Sequence, residues 1–315
     1  MRKYLDANIA YETNKMTKIQ WLKARQEGIG GSDCSSVLGL NPYKSAISVY
    51  ISKISEIRDG FKEENNSYKM ELGNKLEEFV AREFCLKTGK KVRNINGILK
   101  NDKYPFAIAN IDRAVVGERA FLECKVTNSF SKKEWEYDVP IHVQLQCYHY
   151  MAVTGATHCY VAALIGNEEL IIHTLKRDEE LIDEIMKKEE NFWIKHVLDC
   201  CELIPDGSED YSKLLREKYP QSKNESIILF MKEDKLNRYD EVVKLIKELE
   251  IEKKAVEQFL QNEMGSYETA FVGDRKITWK SQSRNSIDTK LLRKEHPDIA
   301  DKFTKVSSHR VFKVH

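Results

Sequence analysis

Two carboxylates and one amine are the side chains of this sequence best placed to do chemistry. Asp112, Glu123 and Lys125 lie in the run Asn110-Ile-Asp-Arg-Ala-Val-Val-Gly-Glu-Arg-Ala-Phe-Leu-Glu-Cys-Lys125. Lys125 follows Glu123 by two residues, so on a strand both side chains share one face. The apolar stretches Phe106–Ile111 and Ala120–Val126 flank Gly117-Glu118, a spacing that predicts a β-hairpin with Asp112 brought to Glu123. Acids and an amine gathered on one side of a sheet need a reason, because a hydrophobic core does not tolerate them. A hard divalent cation held by carboxylate oxygens supplies one, with the ammonium aligning a water or a phosphate oxygen. An exposed charged hairpin would carry the same residues in a chain with 32% charged residues, so the neighbouring segments decide.

Four of those segments bear on the choice. Leu72-Gly-Asn-Lys-Leu-Glu77 sets a carboxylate in a helix ahead of the hairpin, where Glu77 could complete a metal shell or fix a metal-bound water. An ordinary exposed helix glutamate is its plainer reading. Gln144 and Tyr148 are four apart and share a helix face after the hairpin. That pair could hold the lysine strand, reach a phosphate, or be an unremarkable polar pair. Gly28-Ile-Gly-Gly-Ser32-Asp33 offers backbone N–H groups beside a helix start capped by Ser32 or Asp33. Such a segment suits an anion, with the Ser32 hydroxyl and the Arg25 charge added. No Walker lysine follows, which excludes a P-loop. Trp135 and Tyr137 stand beside Lys132-Lys133 and could stack on a splayed base, although burial is the plainer role for Trp135.

The elements that must position these residues alternate between helix and strand. Residues 1–17 read as a loosely ordered lead-in, and Asp59–Tyr68 as a charged loop. Met70–Thr88 carries the helical stripe Leu72, Leu76, Phe79, Val80 and Phe84. Strands follow, then a helix from Pro140 to Thr154, a hairpin about Gly166-Asn167, and a long helix over Asp178–Leu198. The expected architecture is an α/β core, a mixed central sheet flanked by helices over 18–205. A turn-rich linker spans 206–226, and a small α+β appendage fills 227–315. In that appendage Lys235–Met264 is a charged helix whose Val242, Leu245, Leu249, Val256 and Phe259 fall near heptad spacing, interrupted at Glu252–Lys254. A hairpin about Gly273-Asp274, a helix capped by Asp288 and a last strand at Arg310–Val314 complete it.

Composition narrows the class. With 315 residues, 41% of them hydrophobic, the chain can bury a sizeable core. A formal net charge of +1 means that any nucleic-acid contact comes from local patches. The seven cysteines show no CxxC, which speaks against a disulfide ladder or an iron–sulfur cluster and for a reduced, cytoplasmic chain. No signal peptide and no run of apolar residues long enough to span a membrane is apparent.

Taken in order, Arg25…Gly28-Ile-Gly-Gly-Ser-Asp33, Leu38-Gly-Leu-Asn-Pro-Tyr43, Leu72-Gly-Asn-x-Leu-Glu77, Ala109-Asn-Ile-Asp112, Leu122-Glu-Cys-Lys125 and Gln144-x-Gln-x-Tyr148-x-Tyr-Met-Ala-Val-Thr-Gly155 resemble the YqaJ-type viral recombinase family. These are phage alkaline exonucleases similar to lambda exonuclease, within the PD-(D/E)xK superfamily. The likeness covers roughly residues 18–205, with Ile111-Asp112 in place of the superfamily's leading Pro-Asp. It implies that Asp112, Glu123 and the Cys124 backbone carbonyl bind Mg²⁺ or Mn²⁺, with Glu77 supporting a second metal or its waters. It further implies that Lys125 orients and activates the water, that Gln144 helps hold Lys125 or that water, and that Arg25, Ser32 and Tyr148 meet substrate phosphate. The activity implied is 5′→3′ digestion of double-stranded DNA ends to 3′ overhangs for recombination, inside a bacterial host. A single-strand annealing protein is the implied partner, and a ring-shaped trimer the implied assembly.

Two other functions stay open on the sequence: a structure- or sequence-specific endonuclease on the same fold, and a non-catalytic DNA-end-binding scaffold. For the appendage, self-association through the Val242–Phe259 stripe stands beside a DNA- or annealing-protein platform using Lys276, Lys280, Arg284 and Arg310, and beside a simple stabilising cap.

Overall fold

The computed structural model describes residues 2–55, 68–305 and 310–314, with the side chains of 69 and 70 left out. The charged loop expected over 59–68 therefore lies, Tyr68 apart, outside the described residues. The chain divides into two compact units, Met1–Lys218 and Tyr219–His315.

The first unit begins with strands β1 (Lys3–Tyr4) and β2 (Ala7–Glu12), helix α1 (Lys18–Gln26), strand β3 (Ile29–Gly30), and helices α2 (Gly31–Val37), α3 (Ala46–Ile54) and α4 (Tyr68–Thr88). Strands β4 (Val92–Arg93), β5 (Gly97–Lys100), β6 (Ala107–Ala109), β7 (Arg113–Val115) and β8 (Ala120–Thr127) follow. Helices α5 (Lys132–Glu136) and α6 (Ile141–Thr154), strands β9 (His158–Ile165) and β10 (Glu169–Lys176), and helices α7 (Glu179–Phe192) and α8 (Glu209–Lys218) complete it. The strands form two sheets, ordered β1-β2-β5-β6-β3 and β10-β9-β8-β7-β4, with β3–β6 and β8–β9 the parallel pairs.

The N-terminal segment is not a loose lead-in. Tyr4, Ala7 and Ile9 are buried, which seats β1 and β2 in the first sheet. The Tyr4 hydroxyl donates to the Ala120 carbonyl at 2.7 Å, tying the segment to the start of β8. The region expected to be a linker also differs: α8 belongs to the first unit, where the Asp210 carboxylate accepts from the Ser45 N–H at 2.8 Å.

The partner of β8 is another correction. Its antiparallel neighbour is β7, with Arg113 opposite Leu122 and Ala114 opposite Phe121. The return through Gly117, at φ +84°, is tight enough that only 113–115 fall within reach. The expected partner segment, 106–111, instead carries β6, whose three residues are all buried, as suits an interior strand of the first sheet. Asp112 thus sits where the chain passes from one sheet to the other.

Alternation along β8 sorts its side chains. Leu122, Cys124 and Val126 pack with Val80 and Phe84 of α4. Phe121 lies on the opposite side with Cys147 and Tyr150 of α6, and Glu123 and Lys125 share its parity.

In the second unit, α9 (Glu233–Met264) is followed by the hairpin β11 (Thr269–Val272) and β12 (Arg275–Thr278), then α10 (Thr289–Glu295) and α11 (Pro297–Lys302). Asp288 caps α10 as expected, accepting from the N–H groups of Lys290 and Leu291 at 3.0 Å. The last strand expected at 310–314 is absent, since those residues pair with no other strand among the described residues. No helix among the described residues is long and apolar enough to cross a membrane.

Candidate active site

The Arg113–Leu122 pair, extended by one residue, sets Asp112 opposite Glu123. The Cys124 N–H donates to Asp112 Oδ2 at 2.7 Å. Because the N–H and C=O of one strand residue point to the same edge, the Cys124 carbonyl faces that side as well. Glu123 is 2% exposed. Its Oε1 accepts from Lys125 Nζ and from Gln146 Nε2, both at 2.7 Å. Its Oε2 is buried and has no hydrogen-bond partner. Lys125 Nζ donates also to Gln146 Oε1 at 3.0 Å, which closes a three-membered ring of contacts.

Electrostatics mark this as a place short of positive charge. Burial first, then the charges of Glu123 and Glu77, raise the Asp112 carboxyl well above the usual carboxylate range. Burial alone would lower the Lys125 ammonium, but Glu123 and Asp112 outweigh it and push the group up to about 12. Lys125 is therefore a cation at neutral pH, suited to orienting a water or a phosphate oxygen. A buried carboxylate oxygen without a partner, beside a second acid held against its charge, fits a hard divalent cation.

Glu77 reaches the same neighbourhood from α4, but through a residue that the sequence pattern did not single out. The Arg113 guanidinium donates to Glu77 Oε1, to the Asp112 carbonyl at 2.7 Å and to Glu78 at 2.9 Å. Arg113 is buried, and its place next to Asp112 in the chain was the available signal.

Gln144 and Tyr148 are not brought to the site. Gln144 Nε2 donates to Asp138 at 3.1 Å and to the Val139 carbonyl at 2.6 Å, at the start of α6. Tyr148 is half-buried against the apolar core. The face of α6 that meets β8 carries Gln146 and Tyr150, whose hydroxyl lies 3.3 Å from Gln146 Nε2. Two residues of helix turn a side chain by about 200°, so the motif is present one face away from where the i, i+4 spacing of Gln144 and Tyr148 put it.

The anion segment does assemble. Arg25 donates to Ser32 Oγ at 2.9 Å. The helix start differs from the expectation, because Gly30 caps α2 and Asp33, at its third position, accepts from the Gly30 N–H at 3.3 Å. Asp33 is buried and takes Lys44 at 2.9 Å and Lys53 at 2.8 Å. Burial would raise its carboxyl, but Lys44, Lys53 and Arg25 together hold it far below the usual range. Gly31 is required by close approach, since a Cβ there would stand 2.4 Å from Tyr150 Cε1. Tyr150 consequently touches both the anion segment and Gln146. Trp135 is buried and not available for stacking, whereas Tyr137 is exposed.

A second titratable group was invisible in the sequence, its members being 34, 149 and 189. Ligand-type atoms of Cys34, His149 and Glu189 lie within 4.8 Å of one another, all fully buried. His149 Nδ1 meets both Glu189 oxygens at 2.9 Å and its Nε2 meets the Ile108 carbonyl at 2.9 Å. Burial would lower the imidazole, but the Glu189 charge and these hydrogen bonds raise it. With both ring nitrogens engaged, the group acts as a buried tie between α2, α6, α7 and β6.

A family model described as the YqaJ-like viral recombinase domain matches residues 20–157. The chain is 35% identical over 311 residues to an uncharacterized protein, YqaJ, of Bacillus subtilis (strain 168), with 97% of each chain covered. Among solved structures, an alkaline exonuclease (LHK-Exo) from Laribacter hongkongensis is similar with a TM-score of 0.50 at 20% identity, covering 63% of this chain and 97% of that one.

Proposed function

Since this chain belongs to the YqaJ-like viral recombinase family and its first unit has the mixed α/β fold of the PD-(D/E)xK phage-type exonucleases, we propose that it is a metal-dependent 5′→3′ double-strand DNA exonuclease that leaves 3′ single-strand overhangs for recombination. The observation that carries the reading is the orphaned Glu123 Oε2, buried opposite Asp112 and next to the Lys125 ammonium. The fold also hosts endonucleases, so the end preference is argued from the Arg25–Ser32 pair rather than from the fold.

In this reading Asp112, Glu123 and the Cys124 carbonyl would hold Mg²⁺ or Mn²⁺, and Glu77 would support a second ion or its waters. A cation held there would supply charge neutralisation at an anionic scissile phosphate, easing the approach of a water nucleophile. Lys125, kept cationic by its acidic neighbours, orients the attacking water. Gln146 takes the role expected of Gln144, holding Lys125 and Glu123 in register. Arg25 and Ser32 grip the 5′-phosphate, and Tyr150, in place of Tyr148, braces that grip against Gln146. The protein works in the bacterial host cytoplasm with a single-strand annealing protein, and a trimer in the manner of lambda-type relatives would give processivity.

The test is a 5′-phosphorylated blunt duplex incubated with Mg²⁺, next to covalently closed circular DNA. Shortening from the 5′ ends with the circle left intact is the expected result. Nicking of the circle would mean an endonuclease, and persistence of both substrates would defeat the assignment.

A further inference from the structure

The positive charge of this chain is concentrated where the catalytic residues are not. Residues 1–218 hold 32 Lys and Arg against 34 Asp and Glu, whereas residues 265–315 hold 11 against 6. A unit that must handle a polyanion is itself slightly acidic, and the compensating charge sits on the C-terminal segment.

The β11–β12 hairpin arranges that charge. Phe271 stands opposite Lys276 and Thr269 opposite Thr278, so these four share one face of the ribbon. The Trp279 N–H donates to the Glu268 carbonyl at 3.0 Å, one step beyond the strand ends, and Tyr267 and Lys280 are the next residues outward on either side. Ala270 and Ile277 occupy the other face and are partly buried. The first face thus presents the aromatic–lysine pair Phe271–Lys276 beside two threonines, with Tyr267 and Lys280 just beyond its open end. Phe271 is 69% and Tyr267 76% exposed. Neither Lys276 nor Lys280 is paired with a carboxylate among the described residues.

We propose that this ribbon face binds single-stranded DNA, with bases stacked on Tyr267 and Phe271 and phosphates held by Lys280 and Lys276. Exposed rings with flanking cations suit unstacked bases, because every base offers a π-face, whereas a duplex hides its bases from a flat ring. The inference rests on the nuclease reading for the origin of the strand, the overhang that digestion would leave. It makes the second unit a holder of the product.

The experiment is fluorescence anisotropy of 5′-fluorescein-(dT)20, and of a blunt duplex of equal length, with the full-length protein in EDTA. Because no hydrolysis is needed, a nuclease reading that fails leaves this result readable. Wild type should bind (dT)20 more tightly than the duplex. Tyr267→Ala and Phe271→Ala should each weaken (dT)20 binding about ten-fold. Lys276→Ala/Lys280→Ala should reduce the log–log salt slope by about 1.4, and K276E/K280E should weaken binding further. All four variants should melt as wild type does and cut a short duplex at the wild-type rate under saturation. Variants that bind (dT)20 as wild type does, or a wild type that prefers the duplex or binds neither DNA, would overturn the proposal.

Discussion

Replacing Gln146 by alanine separates the observed site from the one that spacing alone suggests. The substitution removes the 3.0 Å bond from Lys125 and the 2.7 Å bond to Glu123, and leaves the ammonium with Glu123 as its sole side-chain partner in this ring. Each is a hydrogen bond to a charged group, worth about 1.5–3 kcal/mol. If one such contact is lost from the transition state, kcat/KM falls about 10- to 150-fold at 1.36 kcal/mol per factor of ten. Gln144→Ala removes only contacts to Asp138 and the Val139 carbonyl at a helix start. It should cost about 1 kcal/mol of stability and leave hydrolysis within a factor of three of wild type. The assay is single-turnover digestion of a 5′-phosphorylated blunt duplex with Mg²⁺, with thermal melting of each variant as the control for folding. A Gln144→Ala protein slower than Gln146→Ala, or a Gln146→Ala protein as fast as wild type, would refute the assignment of the α6 face.

Three further outcomes follow from the same geometry. Mg²⁺ or Mn²⁺ should raise the melting temperature of wild type, by an amount equivalent to about 3 kcal/mol at a hundred times Kd; Asp112→Asn should melt higher than wild type without metal, because like charge is removed, and should lose the metal-dependent gain. The His149 imidazole is raised in the folded state, so its contribution is complete below the ordinary value of about 6.5 and declines as pH rises through the folded value. Melting temperature measured from pH 6 to 9.5 should therefore fall more for wild type than for His149→Gln, and parallel curves would count against the buried ion pair. Gly31→Ala places a Cβ against Tyr150 and should destabilise the protein by about 1–3 kcal/mol while lowering cleavage of phosphorylated ends; equal stability and activity would show that Tyr150 moves freely.

Much of the site was legible in the chain because it is local. Glu123 and Lys125 follow from a two-residue strand period, and Arg25 with Ser32 from a helix and turn only seven residues long. Asp112 was found with its partner, although the hairpin that carries it is shorter than the apolar runs suggest. What failed was phase and distance. Nothing in Gln144-Leu-Gln146 says which glutamine faces β8, because the helix is buried over most of its circumference and its apolar residues mark no single side. Strands β1 and β2 pair locally with each other, but what seats them in the fold is β5 and, through Tyr4, the start of β8, more than eighty residues away. The Cys34–His149–Glu189 tie joins three helices distant in the chain, and no local pattern announces it.

The position of Asp112 between β6 and β7 has a consequence for the newly made chain. A ribosome delivers Asp112 first, Glu123 and Lys125 shortly after, and Gln146 a further turn of synthesis later. Asp112 lies one residue before β7, so the β7–β8 pair of the second sheet brings both acids and the lysine together, and only Gln146 has to come from a separate element, α6. The ring of contacts among Glu123, Lys125 and Gln146 therefore closes only when α6 packs against β8.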